Sequence, residues 1–393
     1  MNCNSSKFIK EWTDKFNPFN SDKYIAQAPK WKTILYRGEV PPPTTISVDP
    51  VNICNLSCTW CNAEEIIHQK HPSISTETLM EIADMLPEWP ATKKYPIKGV
   101  EALCLSGGGE NLLHPAAGEF LQRCYDNGIK TALVTNGTQL HKHLSTIANC
   151  CTWAGVSVDA GTKETFKKLK GKDLFDLVIG IIANLIDYSK THNTTLATPG
   201  LGPGVGYKYL LHPGNVQDVY EATRIAREIG CKSIHIRPYG VPWFIEDKEK
   251  HTFEKEHLEI FKEQIIKARE LEREDKYGGF KVYGITHKFS GDFTPNNNFN
   301  RCHSPILTGV IMPPSNAGKF DYGFCFDRRG DPEVTVRNLN GMEDLYTFWG
   351  GKEFWDMYDK TPNPKTCPRC TLKPHIQIYE QMVQKDNTTF EFI

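Results

Sequence analysis

From Thr44 onward, short apolar or alternating runs are each followed by a stretch of helical periodicity. The runs predict strands at Thr44–Asp49, Gly99–Ser106, Thr131–Thr135, Trp153–Asp159, Val205–Leu211 and Ser233–Pro238, with helices near 76–87, 116–126, 140–149, 173–189 and 216–228. Such alternation builds a parallel sheet with crossover helices. Ser75 and Asn215 stand where N-caps belong, and Gly128 and Gly230 follow helix ends as C′ glycines do. A longer helix is expected at about 253–273, with Leu258, Phe261, Ile265 and Ala268 along one face. After Lys288 the texture changes to Pro, Gly, Asn and Cys with short aromatic runs. The expected organisation is therefore an extension over 1–43 leaving through Pro41, Pro42 and Pro43, an α/β unit over 44–290 and a small cysteine-rich α+β unit over 291–393.

With 393 residues and 39% apolar content, the chain can bury a sizeable core. Its 46 Lys plus Arg balance 47 Asp plus Glu, so no net field recruits nucleic acid, and that partner is not indicated. The longest apolar stretch, Leu177 to Ile186, is broken by Gly180 and Asn184 and falls far short of the roughly 20 residues a bilayer needs. The N-terminus has no apolar run of signal-peptide length, so a cytoplasmic location without membrane contact is expected. In that compartment thirteen cysteines read as metal or redox chemistry rather than disulfides.

Directly after the first predicted strand comes Cys54-Asn-Leu-Ser-Cys58-Thr-Trp-Cys61. Thiolates are the preferred ligands of iron–sulfur clusters, and three of them on a [4Fe–4S] cube leave one iron open. Structural zinc wants four closed ligands, and His68 and His71 sit far along the chain for that purpose. The motif resembles that of the radical S-adenosylmethionine (SAM) superfamily, C-x3-C-x-aromatic-C after the first strand of a partial (β/α)6 barrel, with Trp60 at the aromatic position. Further matches follow in the family's order over roughly residues 44–240. Ser106-Gly-Gly-Gly-Glu110 resembles the segment that binds the methionine amino group: Gly108 and Gly109 would let backbone approach the ligand, and Glu110 would accept from the ammonium. Asn111 replaces the usual proline. Val134-Thr-Asn136-Gly137 and Val156-Ser-Val-Asp159 also recur in the superfamily. Strand alternation puts Ser157 and Asp159 opposite Ala154, Val156 and Val158, and His235 and Arg237 opposite Ile234 and Ile236. Asn136, Ser157, Asp159 and Arg237 are thus expected to touch cofactor or substrate, with Tyr239 and Trp243 as further substrate contacts.

Cys302, Cys325, Cys367 and Cys370 form a second set able to ligate either zinc or a whole cube. Behind a radical SAM unit it resembles the SPASM/Twitch extension, which implies one auxiliary [4Fe–4S] cluster. Of the other cysteines, Cys3, Cys124, Cys150, Cys151 and Cys231 read as small buried hydrophobes. Cys104 shares a strand face with Ser106 and is a candidate hydrogen-atom donor to a substrate radical. The resemblance implies reductive cleavage of SAM to a 5′-deoxyadenosyl radical that abstracts hydrogen, giving dehydrogenation, epimerisation or rearrangement. A flavodoxin or ferredoxin is the expected reductant. With 43 residues before the first strand, too few for a usual leader-recognition domain, the substrate is expected to be a small molecule such as a sugar, aminocyclitol or nucleotide. The alternatives are a peptide or protein modifier and, from another class, a non-catalytic protein with structural zinc sites. The run Lys167, Lys168, Lys170 and Lys172 reads as a solvated helix face.

Overall fold

The computed structural model describes residues 26–34, 38–68, 72–197, 204–240, 252–273, 279–284, 286, 290–294, 296–306, 308–367 and 369–384. Cys3, His71 and Trp243 lie outside them. The centre is one ten-stranded sheet in the order β10-β9-β8-β1-β2-β3-β4-β5-β6-β7. Strands β1 (Thr45–Val48), β2 (Ala102–Leu105), β3 (Lys130–Thr135), β4 (Cys151–Ser157), β5 (Gly204–Leu211) and β6 (Ser233–Pro238) match the six predicted runs and pair in parallel. Parallel β7 (Lys281–Gly284) was not expected. On the opposite edge β8 (Thr308–Met312) pairs in parallel with β1, and β9 (Phe320–Gly323) and β10 (Thr335–Leu339) continue antiparallel. The sheet therefore runs on from the first unit into the second, and the aromatic run around Tyr322 is one of its strands.

Alternation sorts the two faces. Ile46, Val48, Leu105, Val156, Tyr207 and Ile236 are fully buried, in one core with Leu79, Phe120, Ile147 and Val178 of the crossover helices. The register aligns Ser47 with Cys104 and Lys208 with His235 on the other face, and sets Arg237 opposite Leu210. The helices, in chain order, are α1 (Ala28–Ile34), which precedes the sheet, the crossover helices α2 (Glu64–His68), α3 (Thr76–Met85), α4 (Ala117–Asp126), α5 (Leu144–Cys150), α6 (Lys163–Lys170), α7 (Phe175–Thr191), α8 (Val219–Glu228) and α9 (Lys255–Arg273), and α10 (Met342–Phe348), α11 (Lys352–Asp359) and α12 (Lys373–Gln384) in the second unit. The second unit docks on α3, where Tyr346 Oη donates to Met85 O and the Trp89 and Trp349 rings meet edge-on at 5.3 Å. Among the described residues no helix is long and apolar enough to cross a membrane.

Ser75 caps α3 by accepting from Thr78 N at 3.1 Å, and Gly128 and Gly230 have positive φ past their helices. Asn215 is no N-cap. Its buried carboxamide donates to Asp159 O and Leu210 O and accepts from His212 N, because the loop after β5 leaves those groups without strand partners. The basic run also departs from expectation: Lys167 and Lys168 are exposed, but Lys170, at the end of α6, is 2% exposed.

Candidate functional site

The loop carrying Cys54, Cys58 and Cys61 leaves the C-terminal end of β1 and is held from three sides. From α6, Lys170 O accepts from Ser57 N and Leu169 O from Thr59 N, both at 3.1 Å. From the loop after β3, Asn136 Nδ2 donates to Asn55 Oδ1 at 2.9 Å and approaches Cys54 Sγ at 3.8 Å, while Asn55 Nδ2 donates to Thr138 Oγ1. From the loop after β2, Glu110 N donates to Ile53 O at 2.8 Å. Trp60 turns inward, with its ring 5.1 Å from His212 and Lys170 Nζ 5.6 Å above it. The three thiols stay partly accessible. Burial pushes each up, Cys61 to about 12, so binding of a metal is what would ionise them.

The glycine run fits against this loop with no room to spare. A Cβ on Gly109 would lie 2.2 Å from Ile53 O, and one on Gly108, at φ +62°, 2.9 Å from Asp49 Cβ. Glu110 is buried: Oε1 accepts from Thr135 Oγ1 at 2.6 Å and Oε2 from Asn136 N at 2.7 Å. Burial raises its pKa while those donors oppose the shift. The carboxylate is thereby aimed at the junction of the β2 and β3 loops. Cys104 faces inward beside Ser106, its thiol pushed by burial to about 11. Ser157 is half-buried, aligned with Lys208.

Asp159 is committed elsewhere. It is 1% exposed at φ +58°, forms a buried ion pair with Lys170 and accepts from Leu210 N at 2.6 Å. Burial works against the Lys170 charge, but Asp159 and the neighbouring thiols outweigh it and hold the pKa above its ordinary value. The pair braces the cysteine loop, with Lys170 packed on Trp60.

The second cysteine set gathers beside the same mouth. Cys302, Cys325, Cys367 and Cys370 are partly accessible, and ionisation of Cys302 or Cys367 opposes that of Cys325. Asp327 N donates to Cys325 Sγ at 3.3 Å, and the Asp327 carboxylate accepts from Arg369 Nε at 2.6 Å and from Thr371 N at 2.7 Å. Arg329 bridges the two units: Nε donates to Asp49 Oδ2 at 2.5 Å and Nη2 to Ser106 O at 3.0 Å. Asp49, Lys170, Lys208, Arg329 and Arg369 were not singled out as site residues by the sequence motifs. The only signal for Arg329 and Asp49 was their place, four residues after a cysteine and at the end of the first strand.

Residues 48–212 match the radical SAM superfamily. That segment is a radical SAM domain. Its curated relatives include a probable GTP 3′,8-cyclase of Saccharolobus islandicus, 26% identical over 47% of this chain and 53% of the relative. The antilisterial bacteriocin subtilosin biosynthesis protein AlbA of Bacillus subtilis is 28% identical over 50% of this chain and 39% of its own. The chain spans about half the length, or less, of these relatives. Streptococcus suis SuiB bound to its precursor peptide SuiA superposes with a TM-score of 0.57 at 15% identity, covering 90% of this chain and 74% of SuiB. The radical SAM family implies a [4Fe–4S] cluster and SAM, and the residues fit them. Three accessible thiols in one loop suit a cube with an open corner, and the backbone cradle at Gly108 and Gly109 admits no side chain. Among the described residues no three His, Cys, Asp or Glu side chains converge as a single metal ion requires.

Proposed function

We propose that the chain is a radical SAM enzyme acting on a small molecule, with Cys54, Cys58 and Cys61 holding the radical cluster. The observation that carries this reading is the packing of the cysteine loop against the glycine run and the Asn136 loop, which sets thiols, carboxylate and backbone cradle at one strand end. When bound, the cluster and SAM together supply a carbon radical that removes a hydrogen atom from the substrate. The chain's own residues position and seal. Gly108 and Gly109 admit the methionine end, and Glu110, fixed by Thr135 and Asn136, accepts from its ammonium. Trp60, His212 and Tyr239 close one wall against water. Cys104, protonated at neutral pH, is placed to return a hydrogen atom.

Where the substrate radical is instead oxidised, Cys302, Cys325, Cys367 and Cys370 would hold an auxiliary [4Fe–4S] cluster that takes its electron in place of that hydrogen transfer, and a flavodoxin or ferredoxin would reduce the first cluster. The likeness to the probable GTP 3′,8-cyclase of Saccharolobus islandicus favours a nucleotide-like substrate. AlbA's role in bacteriocin biosynthesis favours a second reading, modification of a peptide. The decisive experiment is anaerobic reconstitution with iron counting and an assay of 5′-deoxyadenosine after reduction, on wild type and on the Cys54/Cys58/Cys61 triple Ala variant. About eight irons falling to about four, with SAM cleavage lost, is expected. A variant that still cleaves SAM would refute the assignment, and wild type with about four irons would remove the auxiliary cluster.

A further inference from the structure

Arg237 leaves β6 at its C-terminal end, half-buried. Among the described residues no hydrogen bond or salt bridge holds its guanidinium. The two carboxylates near it are already used: Asp159 by Lys170 and Leu210 N, and Asp327 by Arg369 and both Thr371 donors. Its other charged neighbour is Arg369, between Cys367 and Cys370. That side chain lies flat on Gly240, where a Cβ would come within 2.7 Å of Arg369 Cδ. Burial and the Arg369 charge hold Arg237 down to about 10, so the fold keeps a cation where its own contacts disfavour one. A half-buried guanidinium without an acceptor is costly until an anion meets it. Its planar fork suits a carboxylate or phosphate.

We propose that Arg237, supported by Arg369, is an anion-binding site between the two cysteine sets, and that the substrate carries a phosphate or carboxylate group bound there. This rests on the radical SAM reading of the mouth. The SAM carboxylate offers the same chemistry, but it sits on the same carbon as the amino group assigned to the Gly108–Glu110 loop. That loop follows β2, and β3, β4 and β5 separate it from β6, roughly 19 Å measured along the sheet.

The test uses reconstituted wild type, Arg237→Gln and Arg237→Lys, each checked for native circular dichroism. Melting is followed against inorganic phosphate and against acetate at constant ionic strength set with chloride, and SAM affinity is measured by equilibrium dialysis. Phosphate or acetate should stabilise wild type beyond chloride, showing which anion is preferred. The half-saturating concentration should rise at least about tenfold in Arg237→Gln and less in Arg237→Lys, with SAM affinity unchanged. No response in wild type, or equal responses in wild type and both variants, overturns the proposal. Lost SAM affinity with the anion response intact reassigns Arg237 to the cofactor and overturns it too. An intact anion response in a wild type that never binds SAM would leave the anion site standing and remove the radical SAM reading instead.

Discussion

Three consecutive glycines follow β2 beside the cysteine loop, and each is pinned by a different neighbour. Gly109 meets the Ile53 carbonyl one residue before Cys54, Gly108 the Asp49 side chain and Gly107 the Arg329 guanidinium. The closest of the backbone contacts is at Gly109, where the obstacle has no rotamer through which to withdraw. Gly109→Ala must therefore displace the Ile53–Cys54 backbone or the β2 loop. It should destabilise by about 1–3 kcal/mol in denaturant unfolding. Because the displaced atoms adjoin the first cysteine, 5′-deoxyadenosine formation should fall far more than stability does. Retention of near wild-type cleavage would show that the two loops need not touch.

At the scale of elements, α6 is a brace for the cysteine loop. Its last carbonyls accept from Ser57 and Thr59, and its last side chain passes over the Trp60 ring to Asp159, just past β4. Lys170→Met keeps most of the volume and strands a buried carboxylate, which should cost about 3–5 kcal/mol by denaturant unfolding. Adding Asp159→Asn should recover part of that loss, whereas a loss unchanged in the double variant would show that the packing of the stem, not the charge, matters. This brace was not legible in the sequence. A lysine run carries no sign of which member turns inward, and Lys170 does so because the left-handed Gly171 ends the helix there. Asn215 misled for a related reason: at a strand end, a cap-like residue can serve loop backbone as readily as a helix. What was legible is what depends on local pattern. The six parallel strands follow from apolar runs with one buried face, and the spacing of Cys54, Cys58 and Cys61 is contiguous in the chain. The edge to which β8, β9 and β10 add depends on pairing across more than two hundred residues, which no local period records.

For the whole molecule, the question is what ties the cysteine-rich unit to the radical SAM domain. The shared sheet does so through β8 on β1, and Arg329 does so at the site itself, four positions past Cys325, reaching Asp49 and Ser106 O. Asp49 is fully buried, and burial pushes its carboxyl from 3.8 to about 6 although Arg329 is beside it. Arg329→Ala removes the cation and raises that pKa further. A carboxyl with a folded-state pKa above its unfolded one binds its proton more tightly when folded. Its contribution is therefore largest at low pH and is lost as pH rises through the folded value. The stability gap between wild type and Arg329→Ala should accordingly stay constant up to about pH 6, where both folded forms hold the proton, and widen above it by about 1.4 kcal/mol per pH unit, hence by about 1–1.5 kcal/mol at pH 7, as the variant holds a proton that wild type has released. Denaturant unfolding across that range measures it. A gap independent of pH would mean that Arg329 acts through packing alone, whereas a widening gap accompanied by weaker SAM binding would show that one ion pair sets both the union of the two units and the shape of the glycine loop.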